Sequence, residues 1–145
     1  MSEGVYSEQI GLFLVIERYG DSVKRILFSK EPPDGPSPLA EGIVCHLTAG
    51  RPCPSARLHL VGLTRFQRSV FSAVQTIPRG QTRTYGEVAA LVGCPGAARA
   101  VGRALSRNPF AVVVPCHRVV ARQGLGGFSW GVDLKRRLLA LEARL

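Results

Sequence analysis

The stretch from Thr64 to Asn108 most narrows what this chain can fold into, because it spells out short amphipathic helices separated by glycine turns. In "TRFQRSVFSAVQTI", Phe66, Val70 and Val74 recur every four residues and Ile77 follows at three, giving one buried stripe before "PRG" ends the helix. "TYGEVAALVG" begins with Thr84 and has Glu87 three positions later, the pattern of a capping box, and it runs into the turn "GCPG". A further helix fills "AARAVGRALSRN". Two short helices across a tight glycine-containing turn make a candidate helix-turn-helix. On the second of them Arg99, Arg103 and Arg107 are spaced by four and line one side, while Ala98, Val101 and Leu105 cluster opposite and pack inward. Ala100, Gly102 and Ala104 keep its flanks small, so the backbone can come close to a nucleic-acid groove.

The charge is distributed to match. Residues 1–62 carry 6 Lys/Arg against 7 Asp/Glu, and residues 63–145 carry 13 against 3, so nearly the whole net charge of +9 lies in one half. A field of one sign concentrated on one module favours a polyanionic partner, whose counterions are released on binding. Solubility through arginine is the plainer alternative. No run approaches the roughly 18 apolar residues of a membrane span, and no signal peptide is visible at the N-terminus. The expectation is a cytoplasmic protein with no membrane partner, associated with the nucleoid through DNA.

The first half reads differently. "IGLFLVIERYGDSVKRILFSK" gives two β-rich runs around a Gly20-Asp21 turn, a hairpin, and "EPPDGPSP" breaks regular structure. A short helix over Leu39–Leu47 follows, then a linker in "TAGRPCPSA". The expected division is a small α/β domain over residues 1–58 and a mainly helical domain over residues 62–145. The cysteines Cys45, Cys53, Cys94 and Cys116 form no CxxC pair and are too sparse for a disulfide scaffold. Cys45, His46 and Cys53 are poorly spaced for zinc, and no metal is expected.

The chemistry centres on "NPFAVVVPCHRVV". Asn108-Pro109 ends the arginine-bearing helix, and the β-branched run Phe110–Val114 predicts a buried strand that delivers Cys116 beneath it. Taken alone, Cys116 is better read as a small core residue, as most buried cysteines are, with His117 its satisfied neighbour. A buried thiol becomes a nucleophile only when a base removes its proton, and His117 is adjacent. On a regular strand the two would point to opposite faces, so contact needs a turn or a bridging water. A carboxylate should orient the imidazole, and the basic half offers only Glu87, Asp133 and Glu142. Glu142 falls at the edge of a helical stripe made by Leu134, Leu138, Leu141 and Leu145.

"PCHRV", with "TYGEVA", "AARAVGRAL" and "NP" upstream of it, resembles the O6-alkylguanine-DNA alkyltransferases in order and spacing over roughly residues 64–145. The resemblance implies a ribonuclease-H-like N-terminal domain followed by a winged-helix-like DNA-binding domain. It implies a suicide reaction, in which an alkyl group moves from guanine O6, or less readily thymine O4, to Cys116 and stays there. His117 then matches the water-mediated base and Glu142 the acid that holds it. Arg99 takes the place of the finger that enters the base stack, Tyr85 that of the tyrosine at the 3′ phosphate and flipped base, and Asn108 ties helix to active-site segment. The carbonyls of Cys116 and Val119 would read the guanine edge, and Ser129 would contact the O6 region. Gly86, Arg103, Arg107 and Arg122 complete the expected DNA contacts. The partner implied is double-stranded DNA carrying O6-alkylguanine, met by a monomer without a cofactor. Gly124, Gly126 and Gly127 would give a flexible pocket wall, and Phe128 and the bulky Trp130 bear on its size.

Other classes remain distinct. A non-enzymatic lesion binder of the alkyltransferase-like kind has tryptophan at the acceptor position, where this chain has Cys116. A helix-turn-helix regulator would normally be a dimer reading a palindrome. A cysteine protease would need an oxyanion hole and a peptide cleft that nothing in the sequence suggests.

Overall fold

The computed structural model describes residues 1–144. Three antiparallel strands open the chain, β1 (Ser2–Ser7), β2 (Leu12–Tyr19) and β3 (Ser22–Ser29), and the short β4 (Gly35–Pro36) adds in parallel to β1, giving the sheet order β3-β2-β1-β4. The hairpin turns at Gly20-Asp21, as its residues require. β1 is a strand the sequence reading did not anticipate, since "SEGVYS" lacks strict alternation and is held by pairing with β2 from Ser2↔Glu17 to Ser7↔Leu12.

Helix α1 (Pro38–Ala49) is capped by Ser37, whose hydroxyl accepts the Ala40 N–H at 3.0 Å, and it stops at Gly50, whose φ of 71° a side chain would resist. It buries Ala40, Ile43 and Leu47 against the sheet. Residues 50–64 then form no regular element, but they are not loose. Val23 donates to Arg57 O and accepts from His59 N–H, so this segment covers part of the β3 edge.

Helix α2 (Arg65–Gln75) starts with a capping box of Thr64 and Gln67 and buries Val70, Phe71 and Val74, followed by Ile77. The expected box of Thr84 and Glu87 is present at the start of α3 (Tyr85–Leu91), and α4 (Ala98–Ser106) follows after a tight turn. On α4 the buried residues are Val101, Ala104 and Leu105. Ala104 is therefore core rather than flank, and Ala98 is only partly buried. Arg107 lies just past the end of the helix as its C-cap.

Phe110–Val114 does not form the expected strand. Ala111 and Val114 bridge across a turn whose Val112 has φ 72°, a left-handed conformation that costs a β-branched residue on the order of 1–3 kcal/mol. Side-chain hydrogen bonds from Asn108 and main-chain bonds to β3 hold it there. A 3-10 turn, Cys116–Arg118, leads into β6 (Val119–Val120), which pairs in parallel with β5 (Arg83–Thr84). The last helix, α5 (Val132–Ala143), buries Leu134, Lys135, Leu138, Leu141 and Glu142, so Glu142 sits within the buried face rather than at its edge; Leu145 lies outside the described residues. One continuous apolar core runs from the sheet through α1 to all four later helices. No described helix is long and apolar enough to cross a membrane.

Candidate active site

Asn108 builds the platform under Cys116. Its Nδ2 donates to Val114 O at 2.9 Å and its Oδ1 accepts the Phe110 N–H at 2.9 Å, closing the 108–114 turn. The turn is fastened to the edge of the sheet, because Ile26 N–H donates to Pro109 O at 2.7 Å and Ala111 N–H to Ile26 O at 3.1 Å. The chain then turns at Pro115 into the 3-10 turn, so Cys116 and His117 lie on a bend rather than on the two faces of a strand.

Cys116, only 7% exposed, lines a cavity of about 540 Å³ together with Tyr85, Ala98, Arg99, Gly102, Leu105, Ser106, Gly127, Phe128 and Ser129. The lining is mostly apolar, and Arg99 stands exposed beside it. Gly126 has φ 74°, and a Cβ there would lie 2.8 Å from the Tyr85 ring, so glycine is needed for the loop to pass the ring. Ser129 Oγ donates to Ser106 O at 3.2 Å, tying the loop to α4. Trp130 does not narrow this cavity: it packs edge-on against Phe28 of β3 and against Phe128, and borders a neighbouring cleft with Arg107 and Asn108.

Behind the thiol lies a buried charged cluster. His117 Nε2 is 3.1 Å from Glu142 Oε2, off the line of a straight hydrogen bond. Glu142 also receives Arg118, whose Nε lies 3.0 and 3.2 Å from the two carboxylate oxygens and whose Nη2 lies 2.6 Å from Oε2. Burial alone would raise the Glu142 pKa, but the contacts and charges of His117 and Arg118 outweigh it and bring it to about 2. Glu142 is thus a carboxylate at neutral pH, which assigns the proton to His117 Nε2 and leaves Nδ1 as the basic atom. Burial holds the His117 pKa below the ordinary value, against the pull of Glu142, so the ring is neutral and able to accept a proton.

Burial also raises the Cys116 pKa, while the Asn108 amide and the Lys135 charge pull it back. Lys135 is fully buried, and its Nζ donates to Val119 O at 2.6 Å and Gly127 O at 3.0 Å, 5.7 Å from the centre of the Tyr85 ring. Burial lowers its pKa to about 8, still above neutrality. The resting site therefore holds a protonated thiol flanked by a neutral imidazole and an ammonium group.

Of the residues singled out in the sequence, Cys116, Tyr85, Arg99 and Ser129 share the cavity, and His117 and Glu142 meet behind it. Asn108 acts from underneath. The Val119 carbonyl already accepts Lys135, and the Cys116 carbonyl accepts the Val119 N–H, so each has one lone pair left for a ligand. Arg103, Arg107, Gly86 and Arg122 are exposed, Gly86 at the start of α3 and Arg122 in the loop after β6, away from the cavity lining. Asp133 pairs with Arg136 at the surface. Sequence reasoning missed Lys135, Arg118 and Arg79, and considered His46 only as a zinc ligand. Lys135, Leu138 and Glu142 are spaced by three and four, a face-sharing pattern that marks Lys135 as buried with Glu142.

Residues 65–144 match the sequence family described as 6-O-methylguanine DNA methyltransferase, DNA binding domain. Methylated-DNA–protein-cysteine methyltransferases of Mycolicibacterium paratuberculosis and Methanosarcina acetivorans are 58% identical over 82 residues and 55% identical over 80 residues. These alignments cover 56% and 54% of this chain and 50% and 51% of the relatives, so the match spans about half their length. Among solved structures, the Mycobacterium tuberculosis OGT in complex with DNA superposes with a TM-score of 0.82 at 36% identity, covering 97% of this chain and 92% of that one. The O6-methylguanine-DNA methyltransferase of Pyrococcus kodakaraensis gives 0.78 at 27% identity, covering 98% and 99%.

Proposed function

The chain belongs to the 6-O-methylguanine DNA methyltransferase family, and we propose that it repairs DNA by moving the alkyl group of O6-alkylguanine, and less readily of O4-alkylthymine, onto Cys116. The observation that carries this reading is a thiol facing an apolar cavity, with His117 and Glu142 behind it and Arg99 of α4 at its side. An apolar cavity suits an alkylated base, and a buried thiol needs the base that His117 supplies.

In the reaction the thiol proton passes to His117 Nδ1 through a bridging water, and Glu142 steadies the imidazolium that forms. The Lys135 charge favours the thiolate. Sulfur attacks the alkyl carbon, the S–C bond forms as the C–O6 bond breaks, and the electron pair leaves on guanine, which takes a proton at N1 from solvent while His117 returns its proton to solvent. The thioether formed on Cys116 is stable, so each molecule acts once. The lesion cannot be reached inside a stacked duplex, and turning it out costs a few kcal/mol. Arg99 fills the gap, Tyr85 crowds the backbone there, and Ser129 and the free lone pairs of the Cys116 and Val119 carbonyls meet the base. α4 docks in the minor groove, with Arg103, Arg107 and Arg122 on phosphates and Gly86 allowing close approach of α3. Residues 1–58 act as a ribonuclease-H-like domain that supports the acceptor segment through β3, and residues 62–145 as a winged-helix-like domain that carries the reaction. The protein works as a monomer in the cytoplasm, on the nucleoid.

Replacement Cys116→Ser tests the reading: it should bind a duplex carrying O6-methylguanine as tightly as the parent and leave the lesion unrepaired. Repair by Cys116→Ser, or peptide mapping that puts the methyl group on Cys45, Cys53 or Cys94, would overturn it.

A further inference from the structure

His46, on α1 in the N-terminal half, touches the charged cluster that holds His117. Arg118 Nη2 lies 2.9 Å from His46 Nε2, and a guanidinium can only donate. Nε2 must therefore offer a lone pair, which puts the ring proton on Nδ1. Nδ1 lies 2.7 Å from Arg51 O, the acceptor that tautomer needs. Both ring nitrogens are thus satisfied only when His46 is neutral. The same Nη2 reaches Glu142 Oε2, and Arg118 Nη1 donates to Ile77 O at 2.9 Å, so His46 completes the set of contacts that fixes the guanidinium on the carboxylate.

Arg79 independently fixes where His46 sits. Its Nε donates to His46 O at 2.7 Å and its Nη2 to Leu47 O at 2.7 Å, while Nη1 and Nη2 reach Glu142 O and Leu141 O at 3.2 Å each. One guanidinium thereby binds the end of α1 to the end of α5.

From this chain of contacts, His46–Arg118–Glu142–His117, we propose that His46 is a positioning residue for alkyl transfer: as a neutral acceptor it locks Arg118 on Glu142, which keeps Glu142 on His117. The inference rests on the alkyl-transfer reading above. The charged and titratable groups that face His46 are Arg118 and His117 from the 3-10 turn, Arg79 from the segment after α2 and Glu142 from α5. Burial pushes the His46 pKa down; Arg118 and Arg79 add to this, and the Arg51 carbonyl and Glu142 oppose it. The ring is accordingly neutral at pH 7, and its contact with Arg118 is lost as the pH falls through its lowered pKa. A cation there would repel Arg118 and free the carboxylate to move off His117.

The test uses the full chain and two readouts across pH: single-turnover methyl transfer from an O6-methylguanine duplex, and the rate at which iodoacetamide, without DNA, labels Cys116. His46→Ala should slow both at pH 7 by about tenfold, the equivalent of one hydrogen bond to a charged group, with unchanged duplex affinity. His46→Gln, whose Oε1 can accept from Arg118, should restore most of the rate and remove the part of the acid fall that comes from His46, leaving only the part set by protonation of His117. Parental rates and pH profile in His46→Ala would overturn the inference. So would a His46→Gln protein with the parent's acid fall. If His46→Ala does not fold, the pH profile of His46→Gln decides alone. A parent that shows His46-dependent labelling but no methyl transfer would sink the alkyl-transfer reading and leave the thiol-activating contacts standing.

Discussion

Arg103, exposed on α4, and Arg118, buried behind Cys116, carry the same guanidinium into opposite surroundings. At the surface the charge is solvated and screened, and it costs the fold little. Inside, Arg118 is held by Glu142, by Ile77 O and by His46, and each partner would be left uncompensated without it. The exposed set supplies a field for a polyanion and contributes little to stability. The buried one, with His117, helps to hold Glu142 ionised inside the protein. Removing a partner is therefore the most direct way to tell the two roles apart.

The largest effect is expected on stability. Arg118→Ala should destabilise the protein by about 3–5 kcal/mol, because it strands a buried carboxylate, whereas Arg103→Ala should stay within about 0.5 kcal/mol. Urea denaturation of both variants makes the comparison, and equal losses would erase it. Acid should act on the same cluster. The folded pKa of Glu142, about 2, lies below the usual carboxylate value. Its contribution is therefore complete above the ordinary pKa of about 4.5 and disappears as the pH falls toward about 2, a change on the order of 3 kcal/mol. Glu142→Gln should flatten that part of the stability profile.

Next in size is the chemical step. His117→Ala should slow single-turnover transfer by about a hundredfold or more while sparing duplex affinity, the usual weight of a general base. An unchanged rate would remove His117 from the mechanism. Arg99 sharpens the comparison from the other side, since it is exposed yet lines the cavity. Arg99→Ala should slow transfer from duplex DNA by about tenfold or more and spare free O6-benzylguanine, which has no stack to leave. Equal losses on both would assign Arg99 to the pocket instead. The smallest effects belong to Arg103→Ala and Arg107→Ala. Each should weaken all DNA alike and reduce the salt slope by about one unit, measured by titration at several salt concentrations.

The same contrast explains which parts were legible in the sequence. Exposed arginines at every fourth position announce a helix face, and the box of Thr84 and Glu87 announces where α3 begins, since both are local patterns. The hairpin at Gly20-Asp21 was legible for the same reason. Phe110–Val114 was misread because β-branched composition favours a strand, whereas the Asn108 side chain closes a turn there. Arg118 and His46 were invisible as partners: they are far apart in the chain and meet where α1 packs on α5, a contact that Arg79 also fastens. Lys135 was overlooked since a lysine beside two arginines reads as solvated surface, and only the helical phase it shares with Glu142 marks it as buried.

The central claim is that Cys116 accepts one alkyl group and keeps it. The intact mass of the protein, recorded after mixing with an excess of duplex carrying O6-methylguanine, tests this most directly. The expected result is a gain of one methyl group per molecule, with no further lesion repaired once every molecule carries it. A mass that stays at its starting value while lesions disappear, or continuing repair beyond one lesion per protein, would contradict the account.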